Sequence, residues 1–245
     1  MSHFKNVQSL DKVIAICTGL GGNYNPGQQN LHVSNLVTLL NNAQAALEAI
    51  KVAKTNSEYA TNHREVAFKD LRKLAGRIIS ELKSSGVLVQ TVADARYIQR
   101  KLTGFRISRD PIAIGSVPAA SAEVPASEKK SIARGLDFGT QADYFGKLLQ
   151  TLRTEPSYQP GIEDLKLVAL EAKLNDLLAK NATVVRTSVA LKNARMYRND
   201  LLYSQSGNVQ EAHRAVKQQV KAAFGPRSEE FKSLVNVKFI KPANL

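Results

Sequence analysis

Apolar residues recur at helical spacing along most of this chain, and that pattern limits it to a fold built from helices. After Ser34, a suitable helix N-cap, they fall at Leu36, Leu39, Leu40, Ala43, Leu47, Ile50 and Ala53. At 3.6 residues per turn these positions form one broad stripe, the mark of a helix that buries a face. Past the polar Thr55-Asn56-Ser57 the pattern resumes at Val66, Leu71, Leu74, Ile78, Ile79 and Leu82, and Gly86 closes it. Thr91 with Asp94 reads as a capping box for a third helix carrying Ala95, Ile98 and Leu102, with Gly104 as its stop. Ahead of these helices, residues 9–18 form a short apolar segment. The Gly19–Gly22 glycines and Asn23-Tyr24-Asn25-Pro26-Gly27 then give a loop.

The chain changes character over 108–139, where Pro111, Pro118 and Pro125 sit among Ala, Ser and Val. That composition predicts a linker. Helical spacing returns after Thr140-x-x-Asp143 with Tyr144, Phe145, Leu148, Leu149 and Leu152, and Pro156 and Pro160 break it. A second long helical region opens near Ile162 and runs toward Gly207. Asn208 with Glu211 caps the next helix, and Ser228 begins a short one. The tail Val235–Pro242 alternates like an extended arm. No strand-rich region appears, so the expected class is all-α.

The two halves, 1–107 and 140–245, read as copies. A shift of 131 places Leu36-Val37 on Leu167-Val168 and brings Asn62-x-Arg64 onto Asn193-x-Arg195. A shift of 132 places Leu102 on Leu234. Two pseudo-repeated bundles with a short C-terminal tail are expected, and such symmetry favours self-association. The segments Asn62–Lys69, Leu74–Ile79, Thr91–Ala95, Phe224–Ser228 and Val237–Phe239 resemble an uncharacterised family of bacterial proteins of similar size, over most of the chain. The resemblance implies no activity, and no site residue follows from it.

Charge enters next. The 245 residues carry a formal net charge of +13. Residues 1–110 hold 15 Lys/Arg against 8 Asp/Glu and residues 111–245 hold 19 against 13, so neither half is a dedicated basic tail. Basic helical faces still suggest a polyanion such as nucleic acid. The candidate contacts are Arg96, Arg100 and Lys101 in one half and Arg214, Lys217 and Lys221 in the other. Few aromatic residues accompany them to stack on bases.

Motifs for chemistry are lacking. His3, His32, His63 and His213 are scattered singly, without metal-ligand spacing. Gly19-Leu20-Gly21-Gly22 lacks the third glycine and helix of a dinucleotide fingerprint. Cys17, the one cysteine, lies among apolar residues and suits a buried thiol. No cofactor, metal or catalytic residue is therefore expected. No apolar run approaches the ~20 residues of a membrane helix, and the N-terminus lacks a secretory layout. The expectation is a cytoplasmic protein without membrane insertion. It would be a non-enzymatic structural or interaction protein forming homo-oligomers, with Val237, Phe239 and Ile240 of the arm as self-association contacts. The alternative is a nucleic-acid-associated protein using distributed basic helical faces.

Overall fold

The computed structural model describes residues 2–104 and 136–240. Most of the linker expected at 108–139 lies outside the described residues, as does the tail beyond Ile240. Helix dominates the described residues, and none of them forms a strand. The helices are α1 (Ser2–Gly19), α2 (Val33–Phe68), α3 (Leu71–Ser84), α4 (Val89–Thr103), α5 (Phe138–Arg153), α6 (Leu167–Asn199), α7 (Val209–Phe224) and α8 (Glu229–Val235).

Several boundaries depart from the sequence reading. The apolar segment at 9–18 is the second part of an 18-residue helix that begins at Ser2. Thr55-Asn56-Ser57 does not interrupt α2, which runs for 36 residues. Polar residues break a stripe, not a backbone, and nothing in that triplet denies the helix its N–H donors. Thr91 and Asp94 lie inside α4, whose N-cap position is Leu88. Thr140 also lies inside its helix. The cap of α5 is Asp137, whose Oδ1 accepts from the Thr140 backbone N–H at 3.0 Å.

Other signals hold. Asn208 caps α7, with the Glu211 N–H donating to its Oδ1 at 2.8 Å while the Glu211 carboxylate accepts from the Gly207 N–H at 2.8 Å. This is a reciprocal capping arrangement at the first turn. Ser228 caps α8 in the same sense. Gly104 follows α4 with φ +75°, a conformation that favours glycine, and its N–H closes the helix on the Arg100 and Lys101 carbonyls.

The chain forms two compact units. One comprises Met1–Tyr59 with Val185–Leu245, the other Ala60–Val184. The expected halves therefore each contribute to both units, and the chain passes between units within α2 and within α6. In the first unit α1 packs on α7 and α8. Leu10, Val13, Leu36, Leu202, Val216 and Leu234 lie in its core. In the second, α4 packs on both α3 and α5, around Leu71, Ile78, Leu102, Phe145, Leu148 and Leu170.

A tyrosine anchors the loop ahead of each long helix. The Tyr24 hydroxyl donates to the Leu31 carbonyl at 2.9 Å, and the Tyr158 hydroxyl donates to the Leu165 carbonyl at 2.9 Å. Burial raises the pKa of both phenols, that of Tyr158 to about 12. Each phenol so stays a donor and satisfies a carbonyl at a 3₁₀ turn, Gln29–Leu31 in one case and Glu163–Leu165 in the other. Cys17 is buried beside Tyr24, and burial pushes its thiol up to about 11, the protonated and unreactive form.

Candidate functional site

The densest set of buried polar side chains lies in the first unit, where α1 and α7 receive the segment after α8. Asn6 is fully buried although it carries an amide. Its Nδ2 donates to the Ile240 carbonyl at 2.7 Å and to the Tyr203 hydroxyl at 2.9 Å, and its Oδ1 accepts from the Ile240 N–H at 2.9 Å. One side chain thereby pairs both backbone groups of one residue, as a neighbouring strand would. Ser9 Oγ donates to the Lys238 carbonyl at 2.7 Å, and Lys217 Nζ donates to the Val237 carbonyl at 2.6 Å. Val237 and Phe239 pack against the core, while Lys238 and Ile240 face outward.

Aromatic rings line this groove. Phe239 meets Tyr203 edge-on at 5.8 Å between centroids and lies 5.6 Å from the His213 ring. His3 Nδ1 lies 2.9 Å from the Tyr203 hydroxyl. Burial and the nearby Arg198 hold the His3 pKa below its usual value, so the neutral ring accepts from that hydroxyl. Tyr203 belongs to a π-helical turn, Asp200–Ser204, in which Leu201, Leu202 and Tyr203 are all buried. The wider turn lets consecutive residues face inward where an α-helix would turn one of them away. His213 Nε2 is buried with no hydrogen-bond partner, and burial followed by the Lys217 charge lowers its pKa to about 4. Such an arrangement holds an extended peptide by its backbone; its titratable groups are packed against that peptide.

The structure places the residues singled out in the sequence as follows. Val237 and Phe239 sit against their own chain's core, and only Ile240 of the three is exposed, at 52 %. Lys217 is turned from solvent to the Val237 carbonyl, with its pKa lowered by burial, whereas Arg214 and Lys221 on the same helix are exposed. That bond uses one of the three N–H donors of its ammonium. Arg96 and Arg100 are exposed on α4, and Lys101 lies over the Tyr97 ring with Nζ 5.5 Å from the centroid. These three belong to the second unit and the α7 cations to the first.

Sequence pattern alone does not mark Asn6, Tyr203 and His213 as parts of one site. The signal was present in two of them. Asn6 lies in helical register with Leu10, Val13 and Cys17, and His213 with Val209, Val216 and Val220. A polar residue on an apolar stripe must find a partner, and that partner is the informative part.

Two further features are concave. In the first unit, a groove of about 570 Å³ is lined by Ala45, Ala49, Val52 and Ala53 of α2 with Thr187 and Ala190 of α6. In the second, a groove of about 500 Å³ is lined by Leu74 and Leu170 under Lys73, Arg77, Asp164 and Lys173. There Arg77 lies 3.8 Å from Asp164. Among the described residues no three His, Cys, Asp or Glu side chains gather as metal ligands, and no helix is long and apolar enough to cross a membrane. Comparisons with protein-family models, curated proteins and solved structures give no match.

Proposed function

We propose that this chain is a non-enzymatic structural protein that associates with copies of itself through the α2 and α6 faces of its first unit. The observation that carries the reading is the exposed seam on these helices, apolar at six of the eight positions that follow. Ala45, Ala49, Val52 and Asn56 of α2 follow 4-3-4 spacing, and so do Val185, Val189, Lys192 and Met196 of α6. This is the spacing of coiled-coil contact positions. Val52, Val185, Val189 and Met196 are each at least half exposed, and the alanine-lined groove admits side chains of that size. A partner with valines to offer and alanine grooves to fill is supplied by the chain itself. The α2 edge is electrically quiet, because Lys51 pairs with Glu48 at 2.8 Å and Lys54 with Glu58 at 3.6 Å. A copy that is itself +13 meets little repulsion along that edge.

Internal duplication supports the same reading, at a spacing of 134. Tyr24-Asn25-Pro26-Gly27 corresponds to Tyr158-Gln159-Pro160-Gly161, and the two tyrosines make the same bond seven residues on. Val33 and Leu167 begin the long helices, and the core residues Leu36 and Leu170 follow each. In this register α1–α4 correspond to α5–α8. Each unit then takes the first helix of one copy and the last two of the other. The reading is of a fused, element-swapped pair, the geometry from which symmetric assembly grows.

Sedimentation velocity over a concentration series tests the function. The wild-type chain is expected to exceed the 26.8 kDa of one copy, and Val189→Glu is expected to shift the distribution toward it. The second reading, a polyanion-binding protein, rests on exposed Arg96, Arg100, Arg214 and Lys221. It predicts a particle that carries nucleic acid and loses it in salt.

A further inference from the structure

We infer that the groove of the second unit, between α3 and the start of α6, binds a small amphiphilic carboxylate. Its apolar body would lie on Leu74 and Leu170, and its negative charge among Lys73, Arg77 and Lys173. The cavity, about 500 Å³, is of the size that takes small molecules. The floor is apolar: Leu170 is buried and Leu74 packs against the same core. The rim is charged, with those three cations against two carboxylates, Asp70 and Asp164. Lys73 reaches Asp70 at 3.6 Å and Arg77 reaches Asp164 at 3.8 Å. These are long contacts between exposed groups, and such pairs hold weakly. Lys173 makes no ion pair among the described residues, and its sequence neighbours Glu171 and Asp176 are taken by Arg153 and Lys180. One positive charge is thus left over above an apolar floor, and a monoanion with an apolar body complements both.

The fold does not demand these charges, because the chain builds the same place twice. Asp70 and Asn208 hold the N-cap positions of α3 and α7. At that spacing the buried Leu71, Ala75, Ile78 and Leu82 fall on the buried Val209, His213, Val216 and Val220. Lys73 then falls on Glu211 and Arg77 on Ala215. Along the long helices, at the spacing of the paired tyrosines, Lys173 falls on Leu39 and Leu170 on Leu36. The floor is kept, since Leu36 and Leu170 are both buried. The rim is not: Leu39 and Ala215 pack against the core of the first unit. The first unit fills with apolar side chains a place that the second lines with charge. A lysine where leucine would pack forgoes apolar burial, and departures of that kind from what the fold favours gather at functional sites. Self-association through the first unit is not required for this site.

Titration calorimetry of the full-length chain with octanoate tests this, with octanol as the uncharged probe. Octanoate is expected to saturate in the millimolar range or below, and octanol to bind about tenfold more weakly, for want of one charge-assisted contact. The variant Arg77→Ala/Lys173→Leu installs the residues that the first unit carries at these places, so it is expected to keep the fold, checked by helical circular dichroism and the thermal midpoint. Its octanoate affinity is expected to fall about tenfold or more. If that variant does not fold, Lys173→Gln carries the same expected loss. No saturation by octanoate overturns the inference. So does an octanol affinity equal to that of octanoate, or an octanoate affinity unchanged in a folded variant.

Discussion

His213 is 5 % exposed, lies between Phe239 and Lys217, and keeps Nε2 without a partner. Its folded pKa of about 4 lies below the ordinary 6.5. The unfolded chain therefore binds a proton that the folded chain refuses, between those two values. Stability is complete above pH 6.5, falls as pH drops toward 4, and loses nothing more from this residue below it. The difference corresponds to about 3 kcal/mol at most. Burial lowers the pKa of His3 as well, so it acts in the same direction. Denaturant titrations at neutral and mildly acidic pH check this: His213→Leu is expected to flatten the pH dependence, and an unchanged slope would assign it elsewhere. Because the ring touches Phe239, acid is also expected to loosen the arm before the rest of the unit.

At the level of elements, what was legible followed the strength of local signals. Asn208 and Ser228 were readable as caps because each is followed by a helix whose first turn needs its oxygen. Asn208→Ala removes the acceptor of the Glu211 N–H and is expected to cost about 1 kcal/mol in thermal unfolding. Thr91-x-x-Asp94 is not a cap, since Thr-x-x-Asp also occurs within helices and nothing local tells the two apart. The sequence shows only a short apolar segment at 9–18 because Asn6 interrupts the stripe of α1, and the Ile240 backbone that satisfies it lies 234 residues away. The same distance hid the groove. Tyr24-Asn25-Pro26-Gly27 reads as a loop and Pro160 as a break, but helical leucines match at many shifts and favour a spacing of 131. In the proposed register of 134 the two tyrosine bonds coincide.

At the level of the whole chain, helical class was legible because periodicity is local, and the division into units was not. Both units draw on both halves of the sequence: Ala60–Val184 forms one, set between the two segments, Met1–Tyr59 and Val185–Leu245, that form the other. A protease site placed within 105–135 tests the consequence. After cleavage the two pieces are expected to co-elute, each holding helices that complete the other's unit; their separation in native buffer would contradict the swapped pairing.

Self-association through the α2 and α6 seam is decided by light scattering behind size exclusion at low and high salt, with absorbance at two ultraviolet wavelengths. With seven Tyr and no Trp the protein absorbs weakly, so bound nucleic acid would stand out. A particle of several copies, free of nucleic acid and unchanged by salt, is expected of mostly apolar contacts. A single-copy mass at all concentrations, or a nucleic-acid-laden particle that collapses to one copy in high salt, would contradict it.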